Sequence, residues 1–152
     1  MEKSRVKVIS TLNDMIKACR DCEEGFRFAV EHVKSSDLSK LFQIYSNQRR
    51  QFVIELQAEI YLLGGEPDNS GTLGGVLRRG WMDLRRVIGT DQDDAIILEC
   101  IRSEDETLSE YEGALKKDLP VDVRSLLARQ FNKIRDTRER IRALEKVSSA
   151  LH

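Results

Sequence analysis

The amino-acid sequence predicts an all-α fold, an antiparallel four-helix bundle with an extra helical crossover in its middle. Three observations favour this fold. Apolar residues recur at spacings of three and four along the 152 residues, 34% of the residues are charged, and only 2 are prolines. Such a sequence forms long helices with one apolar stripe and a wide solvated face. The length fits one domain, so we expect residues 1–152 to form a single bundle domain.

The first two helices are predicted over about Val8–Val33 and Leu38–Leu63. Asp37 is predicted to cap the second helix, because its carboxylate can accept hydrogen bonds from the free backbone N–H groups of the next turn. Gly64 and Gly65 are predicted to end that helix, since glycine readily adopts the left-handed conformation that closes a helix.

A shorter helical segment is predicted over about residues 70–89, inside a crossover of about residues 64–92. Trp81 lies on its apolar stripe. We expect this side chain to hold the crossover against the bundle, because burial of so large an aromatic ring is strongly favourable. Two long helices follow, over about Asp94–Lys117 and Val121–Leu151.

The length of the crossover decides how the helices are arranged in space. It is long enough to travel the length of the bundle, which would make the second and third bundle helices parallel, as in ferritin-like folds. The short links at Ser35–Asp37 and Lys117–Pro120 make the helices that they join antiparallel neighbours. Periodicity alone leaves open a plain five-helix arrangement with short turns.

Composition excludes several classes of function. The chain has 25 basic and 26 acidic side chains, and this balance argues against nucleic-acid binding and against attraction to an acidic membrane. No apolar run approaches the roughly 20 residues of a membrane span, and the charged segment Met1–Lys7 does not resemble a signal peptide. The odd count of 3 cysteines fits reduced thiols. We therefore predict a cytoplasmic protein.

Acidic residues stand on or beside the apolar stripes, where periodicity requires uncharged side chains. These are Glu24 in the first helix, Glu55 and Glu59 in the second, and Glu104 in the helix after the crossover. Buried carboxylates are costly unless they are paired or bind a cation. Carboxylates that converge in a bundle core build di-iron and di-manganese sites. The four residues are therefore candidate ligands for iron or manganese. A metal site of this kind would have ferroxidase- or peroxidase-like activity.

The di-metal pattern also requires a Glu-x-x-His motif on two of the helices. The two histidines, His32 and His152, do not supply it. The alternative, which we favour, is a polar layer in which Glu104, Glu55 and Glu24 hydrogen-bond to neighbouring side chains. The candidate neighbours are Gln48, Arg49, Arg50, Gln130 and Tyr45.

Cys19 and Cys22 form a Cys-x-x-Cys motif in the middle of the first helix. In redox enzymes such a motif stands at the start of a helix, where the dipole stabilises the thiolate. A zinc site would need a second pair of ligands. The position therefore predicts that both thiols serve in packing.

Six separated segments carry a family resemblance. They are Asp21–Phe26, Phe52–Glu59, Leu63–Pro67, Arg79–Leu84, Ser103–Asp105 and Arg140–Leu144. In this order they resemble a bacterial family of ferritin-like four-helix-bundle proteins, related in fold to rubrerythrin and ferritin and catalogued as a domain of unknown function. The resemblance extends over about Val8–Leu144 and implies a ferritin-like bundle with the long crossover.

The sequence departs from that family at two positions. Glycine is usual where Cys22 stands, and histidine is common where Arg138 stands, so the second change removes a possible metal ligand. We therefore predict a non-catalytic bundle that acts through protein association, in a stress response. A third interpretation of the sequence is a homodimer that uses the outer face of the crossover or of the last helix.

Overall fold

The computed structural model describes residues 2–68, 80–81 and 93–151, with side chains described over 4–68, 80–81 and 93–145. Four long helices lie in these ranges. They are α1 (Glu2–His32), α2 (Ser36–Leu62), α3 (Asp93–Leu115) and α4 (Val121–Leu151). The predicted all-α class is confirmed, and no strand occurs among the described residues. None of these helices has the length and apolar character that a membrane span requires.

The first turns of α1 and α2 differ from the prediction. The helix α1 begins at Glu2, whereas the predicted start was Val8. The predicted start was late because the first turns of the helix are polar and carry no apolar periodicity. The N-cap of α2 is Ser35, whose Oγ accepts from the backbone N–H of Leu38 at 3.2 Å. Asp37, the predicted cap, lies instead in the first helical turn, where the helix dipole favours its negative charge.

The contacts between helices define a ferritin-like arrangement. The side chain of Lys117 donates to the hydroxyl of Thr11 at 3.3 Å. At the other end of α1, the backbone N–H of Lys34 donates to the carboxylate of Asp93 at 2.8 Å. The helix α3 is therefore antiparallel to α1 and parallel to α2. The end of α2 and the start of α3 lie at opposite ends of the bundle, which excludes an arrangement with only short turns.

The four helices form a closed ring in which α2 and α3 face each other diagonally. Neighbouring pairs are α1 with α2, α1 with α3, α3 with α4, and α2 with α4. The core divides into two apolar clusters along the bundle axis. One contains Cys19 of α1, together with Phe52 and Leu127, and the other contains Cys22, together with Phe42. The clusters meet at the middle of the bundle, where the candidate site lies.

Of the predicted crossover, residues 69–79 and 82–92 lie outside the described part of the chain, and so does most of the predicted helix of residues 70–89. Trp81 is described and is 6% exposed. Its ring packs edge-on against Phe28 of α1, with centroids 5.9 Å apart. A Cβ atom on Gly25 would lie 2.4 Å from the indole, so the absence of a side chain there makes room for the ring. The predicted contact between Trp81 and the bundle is thus present.

Candidate functional site

Two charged side chains meet in the centre of the bundle. Arg49 of α2 and Glu104 of α3 are each 0% exposed. The Nη1 of Arg49 donates to Oε1 of Glu104 at 2.7 Å, and its Nη2 donates to the second carboxylate oxygen. Two parallel bonds of this kind form a bidentate fork, the strongest geometry for an arginine–carboxylate pair. The pair joins α2 and α3 across the diagonal of the bundle.

The periodicity of each helix explains why these side chains point inwards. Arg49 follows Tyr45 by four positions and precedes Phe52 by three, and both aromatic residues are buried. Glu104 follows buried Cys100 by four positions. Residues at such spacings share one face of a helix. Each charge therefore stands on an apolar stripe, and the parallel arrangement of α2 and α3 brings the two stripes together at this level.

The guanidinium of Arg49 is enclosed on its other sides. Its centre lies 5.5 Å from the ring centroid of Phe26 and 5.9 Å from that of Phe52, within the range of cation–π attraction. Its Nε donates to Oε1 of Gln48 at 3.2 Å. Burial lowers the pKa of Arg49, but the Glu104 carboxylate outweighs burial and raises that pKa above its ordinary value. The side chain is therefore a permanent internal cation.

A second polar chain leads from the core to the surface. The hydroxyl of Tyr111 donates to Oε1 of Gln130 at 2.7 Å, so the thiol of Cys19, 3.2 Å from that hydroxyl, acts as a donor to it. The amide of Gln130 donates to Oε1 of Glu55 at 3.0 Å. The other oxygen of Glu55 accepts from Arg129 at 3.2 Å. This series of hydrogen bonds links side chains of α1, α3, α4 and α2, and each side chain donates to the next.

The cysteines of the predicted Cys-x-x-Cys motif are free, buried and in the middle of α1, so their packing role is consistent with the structure. The thiol of Cys22 lies 3.0 Å from Oγ1 of Thr107, which itself donates to the backbone carbonyl of Ser103 at 2.9 Å. Burial raises the pKa of Cys19 from its usual 9.0 to about 12, and raises the pKa values of Cys22 and Cys100 as well. All three thiols therefore keep their protons at neutral pH.

These pKa shifts predict that the fold loses stability in alkaline solution. An unfolded chain releases its thiol protons near pH 9, whereas the folded chain retains them up to about pH 12 at Cys19. The unfolded state thus binds fewer protons in this window, and stability falls as the pH rises. By pH 10, each thiol is expected to lower the free energy of unfolding by on the order of 1 kcal/mol. Urea unfolding measured between pH 8 and pH 10 tests this result.

The matched control for this prediction is Cys19→Ala, which removes one of the titrating thiols. Its stability at pH 8 falls because a cavity forms, but its further loss towards pH 10 is expected to be smaller than in the wild-type protein. A wild-type free energy of unfolding that stays constant from pH 8 to pH 10 contradicts the assignment.

The structure does not bring the four predicted metal ligands together. Glu104 is held by Arg49, and Glu55 by Gln130 and Arg129, whereas Glu59 is half-buried and Glu24 is exposed. Within the described ranges, no group of three or more His, Cys, Asp or Glu side chains is placed to hold a metal ion. The polar layer expected as the alternative is observed for two of the carboxylates, those of Glu104 and Glu55. This donor set does not fit a di-iron or di-manganese centre.

Arg49 was named from the sequence only as one possible neighbour of a carboxylate. Its central position could have been inferred, because it stands on the stripe that contains Tyr45 and Phe52. A basic residue on one apolar stripe and an acidic residue on another are the sequence signal for an internal ion pair. The hydrogen bonds of Tyr111 and Thr107 carry no such signal, since these residue types are common on helix faces.

The fold and this site define a ferritin-like four-helix bundle whose core carries an internal ion pair. Residues 7–117 match the family described as "Domain of unknown function (DUF2383)", and the chain belongs to this family. The match confirms the predicted family resemblance and contains five of the six sequence segments, whereas Arg140–Leu144 lies beyond its end. No curated protein matches the chain in sequence.

Three solved structures show the same fold at low sequence identity. A point variant of Dps1 from Mycobacterium smegmatis has a TM-score of 0.78 at 15% identity, covering 95% of this chain and 99% of that one. A ferritin-like, diiron-carboxylate protein from Bacillus anthracis has a TM-score of 0.70 at 17% identity, with the same two coverages. A two-domain protein from Anabaena variabilis, with DJ-1/ThiJ/PfpI-like and ferritin-like domains, has a TM-score of 0.78 at 11% identity. The match covers 97% of this chain but only 38% of that protein.

Proposed function

We propose that this chain is a non-catalytic ferritin-like bundle that acts through protein association, and that it forms a homodimer through the outer face of α2. The observation that carries the proposal is the scarcity of charge on that face. Nine residues between positions 43 and 62 are exposed, and Arg50 is the one charged residue among them. The nine are Gln43, Ile44, Asn47, Arg50, Gln51, Ile54, Ala58, Tyr61 and Leu62.

This α2 face differs from the exposed faces of α3 and α4. The exposed residues of α4 between positions 121 and 145 are mostly charged, and the same holds for the exposed residues of α3. The cores of protein interfaces contain few charged residues and many aromatic ones. The α2 face has this character, and Tyr61 is its exposed aromatic residue. Exposed apolar side chains that lie close together mark sites of protein interaction. The charged face of α4 is therefore a weaker candidate than α2, and the crossover lies mostly outside the described residues.

The order of residues on α2 favours a second copy as the occupant. A two-fold axis between positions 52 and 53 would pack two α2 helices antiparallel, in a self-complementary contact. Arg50 would then lie opposite Glu55 of the other copy, and Ile44 opposite Tyr61. The single charge on the face would thus meet an opposite charge, and the apolar ends would cover each other.

The polar groups of the core support the non-catalytic part of the proposal. The carboxylate of Glu104 is held by a guanidinium, and the thiols of Cys19 and Cys22 are protonated donors to neighbouring hydroxyl groups. A nucleophile or a general base needs a free lone pair that faces a substrate. These groups instead connect the helices to one another. The stress response and the cytoplasmic location expected from the sequence stay predictions.

The oligomeric state in solution tests the proposed dimer. Ile54 of α2 and Leu98 of α3 are 52% and 54% exposed, so lysine at either position has a similar local cost. Sedimentation equilibrium is expected to show a dimer for the wild-type protein and for Leu98→Lys, and a monomer for Ile54→Lys. A wild-type protein that remains monomeric at high concentration, or a dimer that Ile54→Lys leaves intact, contradicts the α2 interface.

A further inference from the structure

We infer that the guanidinium of Arg49 is the permanent counter-ion of Glu104 in the core of this bundle. It occupies the position from which a metal ion would bind Glu104. A carboxylate buried in the core of a bundle keeps its negative charge only when a positive charge is supplied to it. Here the chain supplies that charge from its own α2. The inference goes beyond the proposed association, because it concerns what holds the interior together.

The first argument is the position of Glu104. Of the four carboxylates predicted as ligands, it alone is fully buried, so a metal ion held by these residues in the bundle centre would have to bind it. Both of its oxygens accept hydrogen bonds from Arg49. A metal ion on Glu104 would therefore stand beside the guanidinium, and the two positive charges would repel each other in a medium that screens them poorly.

The second argument is the balance of charge. Burial of a single ion is costly, and a buried ion pair is tolerated only when its geometry is close and its remaining groups are hydrogen-bonded. Arg49 and Glu104 carry one charge each and cancel. The remaining polar groups around them are neutral, because Cys19, Cys22 and Tyr111 have pKa values raised by burial. Among these described groups, no net negative charge remains to attract a divalent cation.

The third argument is the set of donors. A thiol must lose its proton to bind a metal ion, whereas the thiols of Cys19 and Cys22 hold theirs in hydrogen bonds to Tyr111 and Thr107. The side-chain oxygen of Gln130 accepts from Tyr111. The thiols of Cys19 and Cys22 and the side-chain oxygen of Gln130 are therefore already engaged by neighbouring groups.

An internal guanidinium, unlike a metal ion, cannot dissociate or be extracted. The stability of the wild-type bundle is therefore independent of metal ions. Truncation of Arg49 would leave the Glu104 carboxylate in the core without its cation, and an added divalent ion would then find a vacant position with a free ligand. These two consequences distinguish an internal cation from a metal site.

The experiment compares wild-type protein with Glu104→Gln, Arg49→Ala and the double variant, each produced in medium supplemented with iron and manganese. The wild-type protein is expected to hold well under one metal ion per chain, with a melting temperature that neither chelator nor added Mn²⁺ changes. Glu104→Gln is expected to lower the melting temperature by roughly 10 °C or more, because it leaves Arg49 unpaired, without changing the metal content. Glu55→Gln, at a half-buried carboxylate, is the control and is expected to cause only a small shift.

Added Mn²⁺ is expected to raise the melting temperature of Arg49→Ala but not that of the double variant. The inference is overturned if wild-type protein holds about one or more metal ions per chain that Glu104→Gln removes, or if Mn²⁺ has no effect on folded Arg49→Ala. If Arg49→Ala does not fold, the metal contents of wild-type protein and Glu104→Gln decide the question. A monomeric wild-type protein would contradict the proposed dimer and leave this inference intact.

Discussion

Arg49→Met is expected to lower the free energy of unfolding by about 3–5 kcal/mol, because it leaves the Glu104 carboxylate buried without a counter-charge. Methionine has a similar length and is apolar, so the loss reports the charge more than the volume. Both partners are 0% exposed, and water therefore cannot replace the lost hydrogen bonds unless the core opens. Urea unfolding followed by circular dichroism measures the effect.

The double variant Arg49→Met, Glu104→Leu separates the charge from the packing. With both ions replaced by apolar side chains, the stability is expected to return close to that of the wild-type protein or above it. Arg129→Met is the surface control, because the Arg129–Glu55 pair is half-exposed and contributes about 1 kcal/mol or less. A loss under 1 kcal/mol for Arg49→Met would show that the core admits water at this point.

Trp81→Ala is expected to cost about 3–5 kcal/mol, because the indole is buried against Phe28 and Gly25 of α1. Gly25→Ala tests the same contact without deletion of the ring. Its Cβ would lie 2.4 Å from the indole, so the ring must move, at a cost of about 1–3 kcal/mol. Trp81 is the only tryptophan, and its fluorescence is expected to shift to the red in Gly25→Ala as the ring moves towards water.

Gly113→Ala is the matched control for Gly25→Ala. Gly113 also lies inside a helix, but a Cβ there meets nothing within 4 Å. Alanine is expected to stabilise the protein at this position by about 0.5–1 kcal/mol, because it restricts the unfolded chain more than glycine does. The contact assigned to Trp81 is wrong if both glycine variants stabilise the protein and leave the tryptophan emission unchanged.

Local patterns in the sequence were enough to predict the four long helices. The spacing of apolar residues determines which face of each helix is buried, and this holds for α1 to α4 regardless of how they pack. The resemblance from Asp21–Phe26 to Arg140–Leu144 also predicted the family correctly. The cap of α2 was placed at Asp37 and lies at Ser35, because both residue types cap helices and local sequence does not separate them.

The candidate site depended on distances between helices that are far apart in the sequence. Glu24, Glu55, Glu59 and Glu104 were grouped as ligands because each lies on or near a stripe. One position of rotation about a helix axis turns a side chain by about 100°, which is enough to move Glu24 from the core to the surface. Periodicity shows which face of a helix is buried. It does not show whether a charged residue at the edge of that face lies in the core or at the surface.

The sequence by itself determined the helices, their buried faces and the presence of charged residues within the apolar stripes. The tertiary structure alone decided which charges meet, because Arg49 and Glu104 are 55 positions apart and lie on diagonal helices. Their meeting depends on the axial alignment of α2 and α3, which local periodicity does not record. A buried carboxylate keeps its charge only beside a positive charge, and the packing of the bundle supplies that charge from Arg49.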